Sequence, residues 1–103
     1  MKLNKSITCK DGFVMSVQAN QGAYCSPRID DAVKYTSVEV GYPSHTEPLL
    51  MEWIDGDRNH PTNTVYGYVP VSRISLVCAK HGGIVSGELP AGTPFIKAIS
   101  ESR

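Results

Sequence analysis

The sequence carries no surplus of charge of either sign and no long apolar run. Its 10 lysines and arginines balance its 10 aspartates and glutamates. A duplex-binding protein needs a basic stripe and an acidic mimic of nucleic acid needs surplus carboxylates, so the composition favours neither. Apolar runs as short as that at 49–51 exclude a membrane span, and none follows the lysines of MKLNKSITCK, so no signal peptide is expected.

Cysteine is scarce, and its few copies are far apart. Cys9, Cys25 and Cys78 are odd in number, which favours buried, reduced thiols in a cytoplasm over a disulfide framework. A structural zinc site usually shows ligands about two to four residues apart, and only Cys78 and His81 come that close. We therefore expect no metal, with Cys78 buried and His81 solvated at a helix end. No Gly-rich phosphate loop is present, and no cofactor is expected.

Alternation of apolar and polar side chains predicts a chain built mainly of strands. The intervals with this period, or with a β-branched and aromatic composition, are 7–9, 13–19, 35–42, 49–53, 64–69 and 84–89. Asp11-Gly12 supplies the positive φ angles of a tight turn between the first two. Tyr66 and Tyr68 lie two residues apart in the fifth interval and are predicted to point the same way.

One helix is predicted after Pro70. Val71, Ile74 and Val77 have helical spacing, and Gly82-Gly83 suits the left-handed cap that ends a helix. Residues 95–99 fit either a last short helix or a strand. The 103 residues are thus predicted to form one α+β domain over 1–103, an antiparallel sheet of about five or six strands with one or two C-terminal helices.

Residue types suited to catalysis lack the neighbours that catalysis requires. A nucleophilic cysteine needs a base beside it, and no motif of a thiol enzyme surrounds Cys25, although a histidine could meet it in the fold. Asp55 and Asp57 lie in a turn-rich loop, where aspartate commonly bonds the backbone. We therefore expect a protein without catalytic activity, and an enzyme using Cys25 or a carboxylate is the least favoured hypothesis.

Tyrosines and one polar stretch predict a ligand site. The stretch SVQANQGAYCSPR, residues 16–28, combines amides, hydroxyls, an aromatic ring and an arginine. Rings stack on bases, an arginine grips phosphate oxygens in two bonds, and short polar side chains reach ribose. Arg28 is the first choice for phosphate, whereas Arg58 and Arg73 are expected to be solvated. The predicted ligand-binding residues are Gln18, Asn20, Tyr24, Ser26, Arg28, Tyr66, Tyr68 and Arg103.

The order of these segments resembles a known family. FVMSVQANQGAYCSPR, YTSVEVGYPSHTEPLLMEW, PTNTVYGYVPV and KHGG, which span residues 13–85, resemble small phage proteins that sequester immune signals, the Thoeris anti-defence sponges. The resemblance implies binding of glycocyclic ADP-ribose signals, and in some members of cyclic di- or trinucleotides from cyclase-based defence, without hydrolysis. It also implies an antiparallel sheet followed by C-terminal helices, in oligomers that hold ligand at subunit boundaries.

Size arguments agree with a shared site. A sponge that outcompetes a receptor needs a binding free energy of about −9 kcal/mol, which a nucleotide of about 35 heavy atoms reaches only when it is enclosed. A domain this small has little room for a private pocket, so a homo-oligomer is expected. The resemblance to the phage family implies that it acts in the cytoplasm of an infected bacterial host. The alternative is a small protein-binding inhibitor or adaptor whose tyrosine face docks a host protein.

Overall fold

A computed structural model describes residues 2–99 as one sheet with one main helix. Its elements are β1 (Ile7–Cys9), β2 (Val14–Gln18), β3 (Ser37–Gly41), a 3-10 helix (Pro48–Trp53), β4 (Ile54–Asp55), β5 (Val65–Pro70), α1 (Val71–Lys80) and β6 (Ile84–Ser86). Six strands form an antiparallel sheet in the order β4-β5-β3-β2-β1-β6. The predicted α+β fold is confirmed.

The core joins one face of the sheet to α1. Alternation along the strands and the helical period of α1 bring buried apolar side chains into a single cluster, which includes Ile7, Met15, Val17, Val38, Val40, Ile74 and Val77. Cys9, Cys25 and Cys78 are free and buried, as the sequence predicted. Within residues 2–99, no helix is long and apolar enough to cross a bilayer.

The prediction of a strand over 49–53 is wrong, because this segment is a 3-10 helix. The Glu47 carboxylate accepts the Leu49 N–H at 2.7 Å, which caps the first turn, and Pro48 follows the cap where its missing N–H costs nothing. Leu50 is the buried residue of the segment. The alternation of apolar residues at positions 49, 51 and 53 therefore did not indicate a strand.

A β-bulge in β5 separates the two tyrosines that were predicted to point the same way. The pairing of β5 with β3 shifts register here, so that Gly67 and Tyr68 lie opposite Glu39 alone. Tyr68 has φ 56°, Tyr66 is fully buried, and 49% of Tyr68 is exposed. The prediction is wrong because the extra residue breaks the alternation and re-aims the side chain that follows it.

The C-terminal part agrees with the sequence in its main features. α1 begins directly after Pro70, and both glycines at 82 and 83 have positive φ angles. β6 is shorter than predicted and ends at Ser86. Of the two alternatives for 95–99, the helix does not form, and Lys97 instead makes a single parallel bridge to Ile84.

Candidate functional site

The polar stretch of residues 16–28 is held in place mostly by its own backbone. The Asn20 side-chain oxygen accepts the Gly22 N–H at 2.8 Å, and the buried Cys25 thiol donates to the Asn20 carbonyl at 3.3 Å. Ser26 forms an isolated antiparallel bridge with Ser37 at the start of β3. Asn20 is buried, so its side chain is not a leading ligand contact, and Ser26 does not line the surface cleft beside Tyr24 and Tyr68.

Tyr24 is fastened to two strands of the sheet. Its N–H donates to the Glu39 carboxylate at 3.1 Å, and its carbonyl accepts the Tyr68 N–H at 3.0 Å. Its side chain packs directly on Gly67, where an added Cβ would lie 3.1 Å from the Tyr24 Cβ. The bulge in β5 thus places the Tyr24 and Tyr68 rings side by side, with centroids 6.0 Å apart.

These residues form one wall of a surface cleft of about 320 Å³. The lining residues are Tyr24, Trp53, Asp55, Gly67 and Tyr68, and we call them the aromatic cleft. Trp53 ends the 3-10 helix and Asp55 ends β4, so the edge of the sheet supplies the other wall. Both tyrosines keep part of their rings exposed, 37% for Tyr24 and 49% for Tyr68.

A guanidinium group stacks on a ring at each of two walls of the cleft. The Arg28 Cζ lies 5.1 Å from the centroid of the Tyr24 ring, and the Arg73 Cζ lies 5.1 Å from that of Trp53. Neither side chain has a hydrogen-bond acceptor among residues 2–99. Stacking orients the planar group while its N–H donors stay available, which is the state a phosphate-binding arginine needs.

The structure brings together only some of the predicted ligand-binding residues. Tyr24 and Tyr68 line the aromatic cleft, and Arg28 stacks on the Tyr24 ring. Gln18 instead pairs its amide with the backbone of Asn4, accepting and donating at 2.8 Å, and so fixes the N-terminal segment to β2.

Tyr66 is a core residue. Its ring is fully buried, burial raises the pKa of its hydroxyl, and that hydroxyl donates to the Pro61 carbonyl. A ring in that position cannot offer a face to a ligand, so its predicted contact role is withdrawn. Arg103, the last predicted residue, lies outside the described residues.

Sequence reasoning missed four residues at this site. Trp53 had been assigned to a strand, Asp55 to a turn loop and Arg73 to a solvated helix face, and Gly67 was passed over. One signal was available, because a lone glycine inside a β-branched and aromatic strand indicates a bulge or a close approach of another segment. Both occur at Gly67.

A second group of charged side chains lies at the other end of α1, and we call it the Glu47 network. The His81 ring stacks on Phe13 at 4.1 Å, and its two nitrogens lie 2.6 Å from Asp11 and 2.7 Å from Glu47. Lys80 Nζ lies 3.0 Å from the Glu47 carboxylate. Both ring nitrogens of His81 thus face a carboxylate oxygen. The prediction of a solvated His81 is wrong, because its side chain, held by Asp11 and Phe13 of the β1–β2 turn and by Glu47, is only 15% exposed.

The Glu47 network stabilises the fold and does not form a ligand site. The Glu47 side chain is only 1% exposed, so a ligand has no access to it. Burial acts to raise the pKa of Glu47, but hydrogen bonds from Leu49, His81 and Lys80 outweigh burial and lower it. The pKa of Asp11 is lowered by hydrogen bonds from the Phe13 N–H and from His81. Each charge has an opposite partner, as a structural ion network requires.

Other reactive groups lie away from the cleft. Burial raises the pKa of the Cys78 thiol to about 12 and also raises that of Cys9, which keeps both in the unreactive thiol form. His60 pairs with Asp57 at 2.8 Å in an exposed loop. Among residues 2–99, no three His, Cys, Asp or Glu side chains are grouped to hold a metal ion.

The aromatic cleft is therefore a part of the described chain in which aromatic rings line a hollow and two of those rings carry stacked guanidinium groups. A scan of protein-family models finds no match to the chain, and searches of curated proteins and of solved structures find none. The resemblance to the phage sponges stays a prediction, and function is inferred from the cleft.

Proposed function

We propose that the protein binds small nucleotides at the aromatic cleft and sequesters them intact. The observation that carries the proposal is the pair of guanidinium groups, Arg28 on Tyr24 and Arg73 on Trp53, each stacked and each with its donors free of acceptors among residues 2–99. Phosphate oxygens are the natural acceptors for guanidinium groups held in this way, because two parallel N–H donors can bind two oxygens at once.

The exposed rings supply the second half of a nucleotide site. Tyr24 and Tyr68 present partly exposed faces beside the cleft, and Trp53 faces them from the sheet edge. Stacking of one base on an aromatic side chain contributes about 1–3 kcal/mol and tolerates any base. Aromatic rings together with arginine guanidinium groups suit a ligand that has planar bases and negatively charged phosphates. Cyclic ADP-ribose and cyclic oligonucleotide signals have this chemistry.

The volume of the cleft supports a site shared between subunits. Ligand pockets commonly measure about 300–1,000 Å³, so a cleft of about 320 Å³ is at the low end of that range. Tight binding of a dinucleotide-sized ligand requires enclosure, which a second copy of the chain would complete. We therefore propose a homo-oligomer with ligand at the subunit boundary, acting in the cytoplasm of an infected bacterial host.

The make-up of the cleft supports sequestration over turnover. Its lining includes one carboxylate, Asp55, and neither histidine nor cysteine. General acid-base hydrolysis usually needs a base and an acid placed on either side of the bond that breaks. A single carboxylate supplies at most one of these roles.

A protein-binding inhibitor or adaptor is the second candidate, and one observation favours it. Val33 is 96% exposed and Ile29 is 53% exposed in the segment that follows Arg28. Exposed apolar side chains beside an aromatic surface suit a protein partner. In that case, host protein would be retained by the chain, and nucleotide would leave its melting temperature unchanged.

The proposal is tested by thermal melting with cyclic ADP-ribose, ADP-ribose and cyclic di-AMP, each added singly in excess. A ligand present at about a hundred times its Kd stabilises the fold by about 2.7 kcal/mol, which raises the Tm by several degrees. Heating should then release the ligand with unchanged chromatographic mobility. A Tm that moves by less than about one degree with every nucleotide contradicts binding, and a new product peak contradicts sequestration.

A further inference from the structure

Asp55 is the acidic residue of the aromatic cleft, and its backbone is well fixed. It is the last residue of β4 and pairs with Val65 of β5. Its carbonyl accepts the Thr64 hydroxyl, and Gly56 follows with φ 129°, where an added Cβ would collide with that hydroxyl. The side chain is therefore exposed from a defined point of the sheet edge, beside Trp53.

The Asp55 carboxylate has no partner within residues 2–99. No hydrogen bond or ion pair engages it, whereas Asp11, Glu39 and Glu47 all accept backbone N–H groups. Glu52 is also unpartnered, but it does not line the cleft. Asp55 thus places two unused acceptor oxygens in the hollow, and a guanidinium group stacks on each of two rings that line it, Arg28 on Tyr24 and Arg73 on Trp53.

A carboxylate in this place discriminates between the phosphate groups and the hydroxyl groups of a nucleotide. It repels a phosphate group brought to the same spot, and it accepts hydrogen bonds from hydroxyl groups. A carboxylate that bonds a ribose hydroxyl is a common device of dinucleotide sites, where it also rejects a ribose bearing a 2′-phosphate. The aromatic rings stack on the base and the arginine guanidinium groups bind the phosphates. The ribose is then the part of the nucleotide that contacts Asp55.

We infer that Asp55 is a specificity-determining residue that reads a free ribose hydroxyl and excludes a phosphorylated ribose. The inference rests on the proposed nucleotide binding and goes beyond it by naming which analogues the cleft rejects. It also gives the cleft a direction, because the ribose must lie toward β4 while a phosphate lies toward Arg28, which stacks on Tyr24 of the opposite wall.

The test compares cyclic ADP-ribose with its 2′-phosphate by isothermal titration calorimetry. We expect wild type to bind the unmodified ligand at least about tenfold more tightly, since hydrogen bonds to a charged group contribute about 1.5–3 kcal/mol. Asp55→Asn should weaken binding of the unmodified ligand about tenfold and reduce the preference to less than about threefold. Asp55→Ala repeats the measurement without any side-chain acceptor.

Glu52→Gln is the matched control, because it removes the same charge from an exposed carboxylate three positions away that does not line the cleft. It should leave both affinities and the preference unchanged. If wild type binds both ligands equally, or if Asp55→Asn keeps the preference, the inference is wrong while nucleotide binding stands. If wild type binds neither these two ligands nor ADP-ribose nor cyclic di-AMP, the proposed function falls and the inference falls with it.

Discussion

The Glu47 network and the aromatic cleft use similar residue types in opposite ways. In the network, Asp11 and Glu47 hold His81 between them, and the pairing is completed by Lys80. In the cleft, the guanidinium groups stack on rings, their donors find no acceptor among residues 2–99, and Asp55 has no donor.

The difference teaches which charges hold the fold and which are left for a ligand. A buried charge is costly unless paired, so the network closes on itself and joins the β1–β2 turn, the 3-10 helix and α1. The cleft is exposed, so its unpaired groups cost little in water and become useful when a ligand displaces that water. Substitutions in the network should therefore change stability, and substitutions in the cleft should change binding.

The largest expected effect is on stability, from Glu47→Gln. Glutamine removes the buried negative charge that His81 and Lys80 face, and its amide nitrogen cannot accept the hydrogen bonds made to the carboxylate oxygen that it replaces. Loss of one partner from a buried pair should lower the free energy of unfolding by about 3 kcal/mol, measured by urea denaturation. Glu52→Gln, a change of the same chemistry on an exposed side chain, should stay within about 0.5 kcal/mol of wild type. Equal losses for the two variants would contradict a structural role for the network.

The next effect is on binding, from Tyr68→Ala. Loss of one stacking ring should weaken nucleotide binding about tenfold to a hundredfold in a titration. Tyr42→Ala is a closely matched control, because Tyr42 is also an exposed tyrosine with positive φ, 48° against 56° at Tyr68. Both variants carry the same backbone conformation, but only Tyr68 lines the cleft. Equal loss of binding in both would place the site elsewhere.

A smaller effect is expected from Arg28→Lys and Arg73→Lys. Lysine keeps the charge but loses the plane that stacks on a ring and the fork that binds two oxygens, so each change should weaken binding about tenfold. Arg58→Lys is the control, since the Arg58 guanidinium donates to the Met51 carbonyl and stacks on no ring among residues 2–99. Full affinity in both cleft variants would show that a point charge is sufficient.

The smallest effect is the acid dependence of stability. The pKa values of Glu47 and Asp11 lie below their ordinary values of 4.5 and 3.8 in the folded state. Their contribution is therefore fully present above those ordinary values and is lost as the pH falls through the lowered ones. Urea denaturation between pH 6 and pH 3 should show a shallower decline for Glu47→Gln than for wild type. Parallel curves would mean that Glu47 titrates alike in both states.

The sequence predicted the elements that have a clear period, and it failed where local contacts override the period. The hairpin at Asp11-Gly12 and the helix after Pro70 were found because turn chemistry and helical spacing are local. The 3-10 helix was missed because its cap comes from the Glu47 side chain. The bulge at Gly67-Tyr68 was missed because register depends on β3, which lies far away in the sequence.

The site was predicted in part for the same reason. Tyr24 and Arg28 lie four residues apart, so the stretch that holds both was visible in the sequence. Trp53, Asp55 and Arg73 reach the cleft only through the pairing of β4 with β5 and the position of α1, which no local pattern reports. Gln18 and Asn20 have suitable side chains, but the fold uses those groups to bond its own backbone.

Native mass spectrometry with cyclic ADP-ribose tests the central claim most directly, because it reports subunit number and bound mass together. We expect a wild-type oligomer that carries the unaltered ligand mass, a clearly smaller bound fraction for Tyr68→Ala, and a bound fraction equal to that of wild type for Tyr42→Ala. A strictly monomeric wild type without bound mass, or a bound mass that differs from that of the added ligand, would contradict it.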